Sequence, residues 1–267
     1  ICRKLAKKID PTTDLIIAHD HVCYKVAIFY KEIQPVPVIW YMHDMPTKIF
    51  SYIRSAEKRS FFKIFLYQLI DIYEKKRFIS KVDRIVVLDN KDKERVLRSF
   101  NKEAVVIRNG LDLENFTAKA FKPHIQKKET LKFLMCGSFL PHRNFEAGIY
   151  ALKSILNKHS AHLTIVGSYK ESDGYYQKIR HLIEVLDLKK SISILKDLND
   201  GELKNKYLES DIFIFPNKMQ SWGLAVFEAM ALGLPVVVSN SAGASEVLTD
   251  GQNAFIIDPD NHETIVR

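Results

Sequence analysis

Short apolar runs alternate along this chain with longer stretches whose apolar residues recur every three or four positions. The runs Leu15–Ala18, Val38–Met42, Arg84–Leu88 and Val105–Ile107 are brief, rich in β-branched residues and bounded by polar ones, which predicts buried strands. Between them, His21–Ile33, Phe61–Ile79 and Asn90–Phe100 carry helical periodicity. A short basic helix is expected ahead of the first strand. Strand–helix alternation of this kind implies a parallel sheet and the α/β class. The pattern lapses over 108–130, which holds Asn109-Gly110 and Pro123 and few sustained apolar stretches, and it then restarts. Strands are expected at Leu131–Gly137, Leu163–Gly167, Ile192–Leu195, Ile212–Pro216, Pro235–Ser239 and Ala254–Ile257. Helices are expected at Asn144–Lys158, Tyr175–Leu186, Asp200–Glu209 and Leu224–Leu232. The reading is therefore two Rossmann-like domains, residues 1–107 and 131–267, joined by a hinge at 108–130. Sheets of this type bind ligands at the carboxyl ends of their strands, which places a site in the cleft between the domains.

Composition narrows the class. With 267 residues, 46% hydrophobic and 27% charged, the chain has enough material for a sizeable core and is neither disordered nor fibrous. No window approaches 18 consecutive apolar residues, and Ile1–Asp10 is basic and amphipathic without an apolar signal core. The three cysteines, Cys2, Cys23 and Cys136, lack C-x-x-C spacing and read as reduced, so a cytoplasmic location is expected. The net charge of +8 is unevenly placed: residues 1–107 hold 21 Lys and Arg against 13 Asp and Glu, and residues 108–267 hold 19 against 19. The basic first part implies an anionic partner such as a lipid head group, a phosphate or an acidic saccharide. The chain starts at Ile1 and stops at Arg267 inside an expected helix start, so it reads as a fragment with an incomplete first domain and without its final helices.

The most informative stretch runs from Pro216 to Gly243 (PNKMQSWGLAVFEAMALGLPVVVSNSAG). A strand ends at Pro216, a loop follows, and a helix opens near Gly223. Unpaired backbone N–H groups at such a helix start, with glycine permitting close approach, suit a diphosphate. Glu228, one turn in, is placed to accept from hydroxyls. The block Gly223-Leu224 to Glu228-Ala229-Met230-Ala231, followed by Gly233-x-Pro235-Val236-Val237, resembles the retaining, nucleotide-sugar-dependent glycosyltransferases of family four, whose two-domain architecture is the GT-B fold. The resemblance extends over nearly the whole chain.

It implies a role for each matching residue. Glu228 corresponds to the glutamate that holds the donor ribose. Eight residues earlier, where the family has a glutamate facing the donor sugar, this chain has Gln220, which can hydrogen-bond hydroxyls but carries no charge to stabilise an oxocarbenium ion. In Gly137-Ser138-Phe139-Leu140-Pro141-His142-Arg143-Asn144, Arg143 keeps one of two family cations that neutralise the diphosphate, and Ser138 stands in place of the other. Ser221, Trp222 and Leu224 complete the donor loop. Gly167 and Leu198, at strand ends, border the nucleotide base, although Lys196 occupies a position where the family has glycine. In the first domain His43, within Trp40-Tyr41-Met42-His43-Asp44, matches a histidine that reaches the donor sugar. Val106 to Asp112, with Asn109-Gly110, matches the interdomain hinge.

Other constellations are weaker. His19-Asp20-His21 lies on an extended segment and cannot aim all three groups at one ion, and Asp258-Pro259-Asp260 reads as a turn, so no metal and no resident cofactor are expected. Arg54, Lys58, Arg59 and Lys63, interleaved with Tyr52, Phe61, Phe62 and Phe65, form the densest cationic and aromatic region. It reads as a core helix with a solvated face, the alternative being contact with an anionic bilayer carrying lipid-linked acceptors. No nucleic-acid module accompanies it, and no G-x-G-x-x-G follows a predicted strand, which disfavours a dehydrogenase. The function the resemblance implies is a metal-independent, hexosyltransferase-type glycosyltransferase that acts with retention. Its donor is a nucleoside-diphosphate sugar and its acceptor a hydroxyl of a saccharide or lipid-linked sugar. The setting is cell-surface polysaccharide or glycolipid synthesis at the inner face of the membrane. The alternative is a donor-binding relative without catalysis.

Overall fold

The computed structural model describes residues 1–46, 60–112, 116 and 129–266. Tyr52, Arg54, Lys58, Arg59, Pro123 and most of the 108–130 hinge lie outside the described residues. The chain divides into two compact units, Ile1–Asn109 and Gly110–Arg267.

The first unit holds a four-stranded parallel sheet in sequential order, β1 (Ile16–His19), β2 (Val38–Tyr41), β3 (Arg84–Val87) and β4 (Ala104–Val106). Helices α1 (Cys2–Ala6), α2 (Asp20–Lys31), α3 (Phe61–Arg77) and α4 (Asn90–Phe100) accompany it. α4 has the limits its periodicity predicts, because both ends are chemically marked. The Asp89 side chain accepts from the Asp92 amide at 2.7 Å, and Asn101 closes the helix in the left-handed conformation. On α2, Tyr24 packs its ring 4.3 Å from that of Trp40, and its hydroxyl donates to Glu74 of α3 at 2.9 Å. α3 departs from expectation. It buries none of its residues, so the reading of the cationic and aromatic region as a core helix is corrected at Phe61, Phe62 and Phe65, and the helix expected over Phe61–Ile79 ends at Arg77, ahead of a 3-10 turn at Ile79–Lys81.

The second unit is a six-stranded parallel sheet in the order β10-β9-β8-β5-β6-β7. The strands are β5 (Leu131–Cys136), β6 (Ala161–Gly167), β7 (Ile192–Lys196), β8 (Ile212–Phe215), β9 (Val236–Ser239) and β10 (Phe255–Ile257). Side chains of β5 show why the sheet is covered on both sides. Phe133 and Met135 enter one cluster with Ile149 and Leu152 of α5 (Phe145–Ile155) and Ile179 of α6 (Gly174–Val185). Leu134 points the other way, toward Tyr207 of α7 (Asp200–Glu209) and Val226 and Ala229 of α8 (Leu224–Ala231). α7 is opened by a capping box in which Asn199 and Glu202 satisfy each other's amides. The order has a functional consequence. From β5 the chain winds through β6 to β7, then returns to place β8 on the other side of β5, a switch point at which the loops leaving β5 and β8 diverge.

Candidate active site

β5 ends in a close approach of backbones. A Cβ on Gly167, at the end of β6, would lie 2.0 Å from the Gly137 carbonyl oxygen, and one on Gly137 would lie 3.0 Å from Arg143 Nε. These two glycines let the strand ends converge and the guanidinium lie against bare backbone. Ser138 accepts from the Ser168 hydroxyl at 3.1 Å. The loop then makes a 3-10 turn, Pro141–Arg143, which the sequence reading places in a simple turn, and reaches Asn144. Asn144 is buried in the left-handed conformation, and its Nδ2 donates to the carbonyls of Pro216 at 3.1 Å and Pro259 at 2.8 Å. One amide thus fastens the loop after β5 to the loops after β8 and β10. Asn144→Ala is expected to cost about 2 kcal/mol, at roughly 1 kcal/mol per lost bond. A lowered urea midpoint with an unchanged denaturant slope would record it, and an unmoved midpoint would show that the loops are held by other contacts.

The loop after β8 is held as firmly. Lys218 donates its amide to the His142 carbonyl at 2.7 Å, and the Gly243 amide donates to the Gln220 carbonyl at 2.9 Å. Ser241 donates its hydroxyl to the Asn217 carbonyl at 3.0 Å and accepts from the Met219 amide at 3.2 Å. Across the switch point, Arg143 Nη1 donates to Gln220 Oε1 at 2.9 Å. Asn217, buried, is satisfied when its amide accepts from Arg143 Nη1 at 2.8 Å and donates to the Arg143 carbonyl at 3.3 Å. Both of these acceptors are neutral amides, so they aim the guanidinium without cancelling its charge.

α8 opens at Gly223, whose φ of +88° belongs to the left-handed region and whose Cβ would meet the Phe215 ring at 3.0 Å. Its N-cap residue, Gly223, supplies no side-chain cap, and no acidic residue sits in its first turn to oppose the positive end of its dipole. Glu228 follows one turn later and is half-buried. Its Oε2 accepts from the Tyr207 hydroxyl at 2.9 Å, and Tyr207, fully buried, also lies 3.2 Å from Cys136 Sγ. Burial pushes the Glu228 carboxyl above the usual carboxylate range, and the bond from Tyr207 draws it partly back. Burial likewise raises the Tyr207 phenol and pushes the Cys136 thiol up to about 11, so both hold their protons at neutral pH. Tyr207 is thereby a fixed donor that orients the carboxylate.

Other predicted residues lie differently. Ser221 and Trp222 are buried, with Trp222 stacked on Phe227 at 4.6 Å, so their side chains face inward and a contribution to a ligand falls to their backbone. Leu224 is half-buried, and Leu198 is partly buried against the core beneath α8. Lys196 extends over the Tyr169 ring at 5.4 Å. In the first unit His43 Nε2 lies 3.2 Å from His19 Nδ1, and both rings pack on Tyr41. Burial first, then the neighbouring His19, lowers the His43 pKa, so its neutral form dominates at neutral pH. Among the described residues no three His, Cys, Asp or Glu side chains gather in a way that could hold a metal ion.

The family model of the glycosyl transferases group 1 matches residues 116–267, more than half of the chain. The chain belongs to that family. Group 1 relatives include an uncharacterized glycosyltransferase of Methanocaldococcus jannaschii, 25% identical over 94% of this chain and 64% of the relative. The UDP-Gal:alpha-D-GlcNAc-diphosphoundecaprenol alpha-1,3-galactosyltransferase of Escherichia coli is 26% identical over 69% of this chain and 49% of its own length. Among solved structures, Anabaena HepE in complex with UDP and glucose superposes with a TM-score of 0.78 at 18% identity, over 99% of this chain and 69% of that one. The fold of this group 1 chain is GT-B. It spans about half to two thirds of the length of the curated relatives it matches. The sequence alone names Arg143, Gln220 and Glu228 as candidate site residues but not Tyr207, Asn144 or Asn217, which hydrogen-bond to them or to their loops. Tyr207 and Asn217 carry no local signal, whereas Asn144 sits at a helix start where asparagine is common.

Proposed function

We propose that this group 1 chain transfers a hexosyl unit from a nucleoside-diphosphate sugar to a hydroxyl of a saccharide or lipid-linked acceptor, with retention and without a metal, in cell-surface polysaccharide or glycolipid synthesis. The observation that carries the reading is the guanidinium of Arg143, held against Gln220 and Asn217 at the β5/β8 switch point. In this reading Arg143 and the amides that open α8 bind the diphosphate and stabilise the charge that builds on it as the glycosidic bond breaks. Ser138 adds a hydroxyl donor. Glu228, oriented by Tyr207, accepts from the ribose hydroxyls. Gln220 and His43 orient the sugar, and the departing phosphate takes the acceptor proton on the same face of the ring. Because His43 is expected to be neutral, it can hydrogen-bond a sugar hydroxyl without adding charge. The UDP-Gal in the name of the Escherichia coli galactosyltransferase and the complex of the structurally similar Anabaena HepE with UDP-glucose make uridine the first base to test.

A thermal-shift panel of uridine, guanosine and adenosine diphosphate sugars tests the reading. One nucleotide class is expected to stabilise the chain selectively, by about 2.7 kcal/mol at a hundredfold excess over Kd. Indifference to all of them sinks it. Gln220 and Ser138, where the family pattern has a carboxylate and a cation, favour a second reading in which the donor is bound but not turned over. Binding without transfer or donor hydrolysis in single-turnover assays would select it.

A further inference from the structure

Three rings meet at the carboxyl edge of the first unit's sheet. The parallel register of β1 and β2 sets His19 directly opposite Tyr41, and His43 follows Tyr41 by two positions. The ring centroids form a nearly equilateral triangle, 5.0 Å from His19 to Tyr41, 5.2 Å from Tyr41 to His43 and 5.4 Å from His19 to His43. Within it His19 Nδ1 lies 3.2 Å from His43 Nε2, which is hydrogen-bond distance. Both sides of the triangle are anchored. The Tyr41 hydroxyl donates to the Ile107 carbonyl at 2.8 Å and lies 3.3 Å from Asn109 Oδ1, where the first unit ends. His19 is aimed by the turn that follows it. Asp20 takes a φ of +67°, uncommon for a residue with a side chain, and its carbonyl accepts from the indole N–H of fully buried Trp40 at 3.0 Å. His43 is half-buried and His19 exposed. A left-handed aspartate pinned by a buried neighbour, at the strand ends where sheets of this type bind ligands, points to a site rather than to packing.

A contact between two imidazoles holds one proton between its two nitrogens. Two N–H groups facing each other at 3.2 Å would repel, and two bare lone pairs would form no bond. His43 Nε2 is therefore engaged, and its protonation is the opposite of that of His19 Nδ1. We infer that His19 is a positioning residue for His43: it occupies Nε2, holds the ring in one tautomer and leaves Nδ1 as the nitrogen available to a ligand, with Tyr41 as the surface on which the ring is seated. The other titratable or charged groups near the pair, among the described residues, are Asp20 and His21 on the turn into α2 and the Tyr41 phenol. Asp20 lies 3.5 Å from His21 Nε2, and Asp44 turns its Oδ1 to the Met45 amide at 2.9 Å. Burial first, then His19, holds the His43 pKa below its ordinary value; Asp20 opposes them and His21 acts with them. A residue at 19 without a ring nitrogen should therefore let that pKa rise. The role of His19 rests on the transferase reading only for its kinetic effect. Under that reading Nδ1 orients the sugar, and a ring free to turn loses the alignment.

Proton–nitrogen correlation spectra of the chain with nitrogen-labelled histidines, recorded without ligand from about pH 4 to about pH 9, test the pair directly. The His43 signals are those lost in His43→Gln. The parent is expected to show a single tautomer for His43 and a pKa below the ordinary imidazole value. His19→Phe keeps a ring on Tyr41 but supplies no ring nitrogen, so it should raise that pKa and release His43 into the tautomer mixture of a free imidazole. His19→Asn returns a hydrogen-bonding group close to the place of Nδ1 and should restore the single tautomer. With the nucleotide sugar selected by the thermal-shift panel, His19→Phe should lower kcat by roughly tenfold or more and change KM by less than about threefold. The acidic limb of its pH–rate profile should move to higher pH. A tautomer mixture in the parent, unchanged His43 signals in His19→Phe, no restoration in His19→Asn, or an unchanged kcat in an active His19→Phe chain would each overturn the role of His19. A parent that neither binds nor turns over any nucleotide sugar fails the transferase reading alone, and the ligand-free spectra still decide the pair.

Discussion

Arg143→Ala is expected to weaken nucleoside-diphosphate-sugar binding by at least about a hundredfold, equivalent to ~2.7 kcal/mol. The size follows from how the side chain is held. Gln220 and Asn217 accept from Nη1 at 2.9 and 2.8 Å, and Gly137 leaves space against the backbone for the guanidinium. Its orientation is therefore set before a ligand arrives, and little side-chain entropy remains to be lost on binding. Arg143→Lys keeps the charge and loses the planar fork, so its loss should be intermediate. Calorimetric titration of both variants with the nucleotide sugar selected by the thermal-shift panel checks the order. Equal affinity in the alanine variant and the parent would remove Arg143 from the donor site. Gln220→Glu is informative beside them: a carboxylate would pair with Arg143 and withdraw part of its charge from the diphosphate.

Glu228→Gln should separate stability from binding. In the folded chain the carboxyl titrates above its ordinary value because burial penalises its charged form. Below the ordinary carboxylate pKa the group is protonated in both folded and unfolded chains and contributes no pH-dependent difference. As pH rises, the unfolded chain releases the proton first, so the folded state is progressively disfavoured until the folded group ionises as well. Glutamine does not titrate and retains an oxygen for the Tyr207 hydroxyl. The variant is accordingly expected to melt at or above the parent's temperature at pH 7 to 8, with the difference shrinking toward pH 4. Donor affinity should move the other way, falling by about a hundredfold as charge-assisted bonds to ribose, worth roughly 1.5–3 kcal/mol each, become neutral ones. Melting curves across that range and one binding isotherm decide the matter. A variant that is less stable at pH 8 but binds normally would make Glu228 a structural carboxylate.

The fold is legible where a local signal exists. α4 and α7 have the limits their periodicity predicts because Asp89 and Asn199 cap them, and β5 reads as a doubly buried run because Phe133, Leu134 and Met135 face both clusters. The site is legible only in part. Arg143 and Gln220 are 77 positions apart, and only the placement of β8 beside β5 makes them neighbours. Tyr207 reaches Glu228 from a different helix, and neither hydropathy nor spacing marks that meeting. The periodicity of α3 is plain in the sequence, but periodicity gives a helix an apolar side without saying which way that side turns. The tethers from Tyr24 and Lys25 to Glu74 fix it outward.

The insertion of β5 between β6 and β8 also sets a timetable for biosynthesis. Phe133 pairs with Ile212, so about 80 residues must be polymerised after β5 before its second neighbour exists, on the order of 4 to 16 s at ordinary translation speeds. During that interval one edge of the nascent strand is bare. The loops after β5 and β8 therefore mature late, and a ribosome paused between these strands would display a half-sheet to chaperones.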